Sequence, residues 1–332
     1  VNQQDRTRPT PTSRVWSRGK IIADNLYGDD LADVLQHDKD AAAWWVLPRE
    51  AGGHLHDLAR ALDLDDAAID DLTADDRRTK FEQLAQNRLL VTSAVSFDAT
   101  AAELITQPIS MVLSERAIVC LADPAAGAFN PAARLAARAD EISADGVERA
   151  LQVLLTGVVI SYEEAVGWLE EASDRLADAL FEERPLTKNE QLWAFRLRSM
   201  LSQLRRLTEP MRSVVTEVSD SFADRAGRIS RQWAVLKERH TRVASAADSL
   251  REALSSVFDT SLALADLRMN QVMKKLSGWA AIIAVPTLVT GFVGMNVLFP
   301  LDGTEEGFWL YLVIMVAGSL ALYALFKRID WV

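Results

Sequence analysis

The stretch from Met273 to Leu301 constrains this chain more than any other. Lys274 and Lys275 are followed by a run, Leu276 to Leu301, without a charged side chain. A helix needs ~20 apolar residues to cross a hydrocarbon core of ~30 Å, and this run is longer. A second uncharged run, Gly307 to Phe326, follows a short acidic loop. The region 273–332 therefore reads as a transmembrane hairpin, with a first span at about 276–297, an external loop at 298–306, a second span at about 307–326 and a basic cytoplasmic tail. The first span is not built as a plain lipid-facing helix. Met273, Ser277, Ala280, Ala284, Thr287, Gly291 and Gly294 recur at alternating spacings of four and three, which places them on one helical face. Asn296 sets a carboxamide near the far end of the run.

The basic residues orient the hairpin. Arg268, Lys274 and Lys275 precede the first span and Lys327 and Arg328 follow the second, whereas the loop holds Asp302, Glu305 and Glu306 and no lysine or arginine. Both termini are expected on the cytoplasmic side, in the plasma (inner) membrane of a prokaryote. The hydrophobic run falls too late to be a cleaved signal peptide. The net charge of -11 comes from the residues ahead of the hairpin and argues against nucleic acid as a partner. Cys120 is the only cysteine, so no intrachain disulfide forms and a reducing setting is the simplest reading.

Several residues together carry a family resemblance. They run Met269-Asn270-Gln271-Val272-Met273-Lys274-Lys275, through Pro286-Thr287 and Gly291, to Gly294-Met295-Asn296. A Gly-Met-Asn triplet ending the first of two C-terminal hydrophobic segments resembles the signature of the CorA-type divalent-cation channels. Where that family usually has an aromatic residue before the triplet, this chain has Val293. The resemblance implies an α+β cytoplasmic domain (an α/β sandwich), a long helical stalk and a two-helix transmembrane hairpin, assembled as a CorA-like funnel and homopentamer. It also implies transport of Mg²⁺ or a related divalent ion. The stretch Asp70-Asp71-Leu72 through Arg78-Thr79-Lys80-Phe81-Glu82 is similar to a cytoplasmic segment of the family, with Thr79 where proline is usual. The resemblance implies a regulatory Mg²⁺ site between subunits at Asp71, with Asp70 beside it, and an acid on the stalk at Asp259. A further stalk acid of the family falls on Val235. The reading from the residues alone is that the aspartates near Asp70 and Asp71 cap helices and solvate a surface.

In chain order, residues 1–12 mix Pro, Thr, Arg and Gln and are expected to be disordered. Residues 13–124 are expected to form the α/β domain: a buried strand at Ala41 to Leu47, a helix at Leu55 to Leu64 on Leu55, Leu58 and Leu62, and neighbouring strands at Leu89 to Phe97, Ile105 to Leu113 and Ala117 to Leu121. Residues 125–272 read as helical hairpin and stalk. Leu151, Leu154, Val158, Tyr162, Leu169 and Leu176 keep a helical period up to Arg184-Pro185. Glu163, Glu164, Glu170 and Glu171 make that helix acidic, and the next, Asn189 to about Val218, carries Arg196, Arg198, Arg205, Arg206 and Arg212. An antiparallel, oppositely charged pair is expected. A third helix begins near Arg225 and runs into the membrane, over ~100 Å at ~1.5 Å per residue. Val243, Leu250, Leu254, Val257 and Leu264 form a packing seam on it, and Ser245, Ser249, Ser256, Asp259, Asp266 and Asn270 form a polar stripe in register with Met273 and the small residues of the span.

A water-filled axis is what a polar stripe continuing into a bilayer can serve. Two helices cannot enclose a pore, so conduction requires a ring of chains. Mg²⁺ takes oxygen ligands and sheds water reluctantly. Gly294, Met295 and Asn296 are the candidate entrance; Thr287, Gly291, Ala284, Ala280, Ser277 and Asn270 the candidate lining; Met273 a candidate hydrophobic gate; and Asp302, Glu305 and Glu306 a loop that concentrates cations. For Thr287 the competing reading is a hydroxyl bonded back to its own helix beside Pro286. No nucleotide-binding Gly-rich loop occurs, no organic cofactor is expected, and no catalytic grouping is found. Two other functions compete: transport of Zn²⁺, Co²⁺ or Ni²⁺ on the same fold, and a non-conducting, membrane-anchored helical scaffold. Neither span contains Cys or His, the softer ligands that zinc prefers.

Overall fold

The computed structural model describes residues 12–26, 28–55, 59, 64–74, 78–84, 86–98, 103–123, 129–181, 184–222, 228–295, 301, 303–329 and 331. Residues 1–11 of the expected N-terminal disorder, Leu58 and Leu62 of the expected helix, and Asn296 and Asp302 lie outside these residues, whereas Thr12 already belongs to a strand. The chain divides into two compact units, one of residues 1–176 with 188–255, the other of residues 177–187 with 256–332.

The first unit is built on a seven-stranded sheet. Its strands are β1 (Thr12–Ser17), β2 (Lys20–Asp24), β3 (Ala41–Leu47), β4 (Lys80–Leu84), β5 (Asn87–Asp98), β6 (Glu103–Leu113) and β7 (Ala117–Ala122), in the order β2-β1-β3-β7-β6-β5-β4. Only β3 and β7 run parallel, with Trp45 opposite Val119; the other pairs are antiparallel. The strands expected within Ala41 to Leu121 are present. The hairpin β1–β2 was not legible as apolar alternation, because β2 is largely exposed. Its two-residue turn, Arg18-Gly19, has both residues at positive φ, the geometry that matches the twist of the paired strands.

Both faces of the sheet are covered, which explains the near-continuous apolar runs. Trp45, Leu89, Val91, Val112, Val119 and Leu121 point to one face, against Leu31 and Leu35 of α1 (Gly28–His37) and Ile69 and Leu72 of α2 (Asp66–Thr73). Leu55 closes a 3-10 turn, Arg49–His54, and joins that core. The other face receives two long helices, α5 (Val147–Phe181) and α6 (Lys188–Ser221), which follow the short α3 (Pro131–Ala136) and α4 (Ala139–Asp145). Tyr162 of α5 donates to the Ser93 carbonyl at 2.6 Å, Ser161 accepts from the Val95 amide at 3.1 Å, and Met211 of α6 meets Thr92 at 3.5 Å.

The third long helix, α7 (Arg228–Val293), has 66 residues, or about 100 Å at ~1.5 Å per residue. Val243, Leu250, Leu254 and Val257 of the expected seam are buried, and Leu264 is half-buried. The charges pair differently from the expected α5–α6 arrangement, because α7 takes part. Glu163 of α5 accepts two bonds from Arg239 Nε at 2.7 Å, and Arg205 of α6 lies 3.9 Å from Asp248.

Among the described residues, three helices are long and apolar enough to cross a membrane: Val147–Asp178, Ile229–Val293 and Glu305–Arg328. In the first, 72% of the most apolar window is buried inside the domain; in the others, 6% and 0% are. The first is therefore a core helix, and the other two carry unburied apolar surface.

Candidate ion-conduction site

In the second unit the site is built on the last part of α7 and on α8 (Glu305–Arg328). Pro286 removes one amide from the α7 ladder but does not end the helix. Thr290 Oγ1 donates to the Pro286 carbonyl at 2.9 Å, and Thr287 Oγ1 donates to the Ile283 carbonyl at 2.9 Å. The competing reading of Thr287 is thus met as far as its hydrogen goes. Its oxygen keeps acceptor capacity, which is what waters around a cation need. Past Val293 the helix tightens: Gly294 N donates to the Thr290 carbonyl at 2.9 Å and Met295 N to that of Phe292 at 3.2 Å.

α8 covers one side of α7 and leaves the rest exposed, the small-residue stripe together with larger side chains such as Ile283, Leu288 and Phe292. Gly278 is buried and Ala281, Ile282, Val285, Val289 and Val293 are half-buried, on the side that α8 covers. A Cβ built on Gly318 of α8 would lie 3.2 Å from Val285 Cγ1, so the two helices approach closely there. From α8, Tyr311, Leu312, Met315, Ser319, Leu322 and Phe326 are half-buried. Asn270, Met273, Ser277, Ala280, Ala284, Thr287, Gly291 and Gly294 are all exposed, as are Asp259 and Asp266. A groove of about 1010 Å³ runs along this free side past Ala280, Ala284, Thr287, Gly291 and Met295.

The connection between the helices has its own local logic. Thr304 caps α8 by accepting from Gly307 N at 3.1 Å, and its hydroxyl donates to the Leu301 carbonyl at 2.8 Å. A Cβ at Gly307 would come within 2.2 Å of that same carbonyl oxygen. Glu305 and Glu306 are exposed in the first turn of α8, where the helix dipole favours carboxylates whatever their other role. Aromatic residues mark both ends of the hairpin: Phe308 and Trp309 at one, Trp279 and Tyr323, 6.4 Å apart, at the other. Such rings favour membrane–water interfaces.

The candidate regulatory acids fall in different compact units. Asp70 is exposed and Asp71 half-buried on α2 in the first unit, and Asp259 is exposed on α7 in the second. Among the described residues, no group of three or more His, Cys, Asp or Glu could hold a metal ion. Sequence reasoning passed over the Thr304–Gly307 turn, whose Thr-x-x-Gly spacing was visible, and a group of arginines on α3, α5 and α7 too scattered in the sequence to be seen.

A family model described as CorA-like Mg²⁺ transporter protein matches residues 39–328. The chain belongs to the CorA family. The cobalt/magnesium transport protein CorA of Thermotoga maritima is 20% identical over 312 residues, 91% of this chain and 87% of that one. Its namesake from Methanocaldococcus jannaschii is 40% identical over 83 residues, 25% of this chain and 26% of that relative. The complete structure of the CorA magnesium transporter from M. jannaschii matches with a TM-score of 0.77 at 19% identity, covering 98% of this chain and 99% of that one. The CorA fold thus accounts for the sheet domain, the long helix and the two apolar C-terminal helices. The chain is a divalent-cation transporter of that family.

Proposed function

We propose that the chain assembles as a homopentamer in a prokaryotic plasma membrane, with both termini cytoplasmic, and admits Mg²⁺ passively through an axial pore lined by α7. One observation carries this reading: the small and polar stripe of α7 is exposed, while α8 takes the other side of that helix. An unpartnered small-residue face suits close approach of neighbouring copies around a wet axis. A ring of Asn296 amide oxygens with Gly294 carbonyls would hydrogen-bond a hydrated ion at the entrance without stripping it. Thr287 and Gly291 would present oxygens midway, below them Ala284, Ala280 and Ser277 leave room for water, and Met273 would close the cytoplasmic end by dewetting. Asp302, Glu305 and Glu306 would concentrate cations outside. Intracellular Mg²⁺ at Asp71 and Asp259, from adjacent subunits, would favour the closed state. A potential of ~100 mV, negative inside, contributes ~2.3 kcal/mol per charge, or ~4.6 kcal/mol for a divalent ion, so no chemical energy source is required.

Two relatives are named cobalt/magnesium transport proteins, which supports Co²⁺ as a second cargo. The deciding experiment is uptake into liposomes holding a Mg²⁺ indicator under an inside-negative potential. Wild type takes up Mg²⁺, and Asn296→Leu lowers the rate by about two orders of magnitude. Uptake of Co²⁺ or Ni²⁺ but not Mg²⁺ would move the cargo to the transition metals. Equal rates in wild type and variant would remove Asn296 from the entrance, and no uptake of any of these ions would leave a scaffold.

A further inference from the structure

A cavity of about 660 Å³ in the first unit lies between α3, α5 and the first turns of α7, and five arginines border it: Arg134, Arg138, Arg149, Arg231 and Arg239. In a chain of net charge -11 this concentration of positive charge needs a reason. Two carboxylates offset part of it. Glu141 accepts from Arg138 at 2.7 Å and from Arg149, and Glu163 accepts from Arg239. Arg134 and Arg231 have no carboxylate partner among the described residues.

The cavity wall is constructed. Arg149 is only 6% exposed; its Nη groups bond Gln152, Gln232 and Glu141, and its Nε is buried without an acceptor among the described residues. Arg149 is thus a fixed, buried positive charge in the cavity wall and not a mobile surface side chain. Arg134 is held by packing. A Cβ on Gly157 would fall 2.7 Å from Arg134 Cδ and 2.5 Å from the Phe129 ring, so only glycine lets the arginine stem lie flat on α5. Its guanidinium then sits 5.2 Å over the Phe129 ring centroid.

We propose that this cavity binds a small polyphosphate anion, in the form of a nucleoside di- or triphosphate. Guanidinium forks match phosphate oxygens bidentately, and several can share one polyphosphate. The space exceeds what phosphates alone fill, and Val153, Ile160, Val235 and Leu236 give it an apolar side on which a nucleoside can rest. The position of Val235 at this rim agrees with it, since an acid there would repel the ligand. Polyphosphates chelate Mg²⁺, and the complex carries less negative charge, so the arginines select the metal-free form. Because Arg231 and Arg239 stand on α7 and Arg134 and Arg149 on α3 and α5, the ligand ties α7 to the rest of its unit when free Mg²⁺ is scarce.

The test is titration calorimetry on the full chain in detergent, with ATP, pyrophosphate and orthophosphate as separate probes in Mg²⁺-free buffer. ATP binds saturably, and the double variant Arg134→Gln/Arg231→Gln weakens it about tenfold or more, as loss of two charge-assisted contacts requires. Arg18→Gln, which removes an exposed arginine paired with Asp40 instead, leaves the affinity unchanged. Tighter binding of ATP than of pyrophosphate supports the nucleoside contact; the reverse overturns that part and leaves the polyphosphate site. Excess Mg²⁺ weakens ATP binding, and an unchanged affinity would overturn selection of the metal-free form. No binding, or binding insensitive to the double variant while circular dichroism and elution volume match wild type, overturns the proposal. None of these readings depends on transport.

Discussion

His240 on α7 is buried to 1% exposure, bonded to the backbone of Thr208, and its Nε2 has no partner among the described residues. Burial lowers its pKa below the ordinary 6.5; the Thr208 bond and Glu209 oppose that shift, and Arg212 adds to it. A depressed histidine leaves the unfolded chain holding more protons than the native one as pH falls. The stability it contributes is therefore present above pH 6.5 and is lost as pH drops through the folded value. Thermal melts between pH 7 and 5 should show a falling midpoint, and His240→Gln should flatten that slope. The sequence displayed a histidine between charged and polar residues, Arg239 and Thr241; its burial and titration are set by what α6 places against it. Thr287 teaches a similar lesson. Its place on the stripe was legible, but the destination of its hydroxyl proton, the Ile283 carbonyl, depends on the helix around Pro286.

At the level of elements, the contact between α7 and α8 turns on one glycine. With a Cβ at Gly318 already 3.2 Å from Val285 Cγ1, a larger side chain must push the helices apart. Gly318→Leu should lower the melting temperature of the solubilised protein, by a cost of about 1–3 kcal/mol typical of overpacking. Val285→Ala in the same chain should recover most of it, and additive effects of the two substitutions would rule out direct packing. Periodicity identified α5, α6 and α7 as helices because each presents a regular apolar face over many turns. It could not tell that α5, as apolar as a membrane span, is a core helix. That distinction rests on contacts remote in sequence, such as those of Tyr162 and Ser161 with Ser93 and Val95 of β5. The strand β2 escaped because it is short and largely exposed, and helix α1 because its apolar face, Leu31, Val34 and Leu35, spans little more than one turn.

For the whole molecule, the exposed stripe and the buried Cys120 together permit a clean test of the pore. Burial pushes the Cys120 thiol up to about 12, so the native protein should resist maleimides at neutral pH. A single Gly291→Cys substitution then becomes the reactive site without removal of the native cysteine. A membrane-impermeant thiol reagent should label it and reduce Mg²⁺ uptake at least several-fold; labelling without inhibition would mean that Gly291 lies off the conduction path. The sequence by itself determined the hairpin, the small-residue stripe and the helical period of the long segments. Those features are local: an uncharged run must leave water, and a spacing of three and four must share a face. Tertiary structure alone decided which side of α7 meets α8, how Glu163 and Arg205 both find partners on α7, and that arginines as far apart as Arg134 and Arg239 border one cavity. Each of these depends on chain segments brought together by burial of the two faces of the sheet, and separation along the chain carries no record of it.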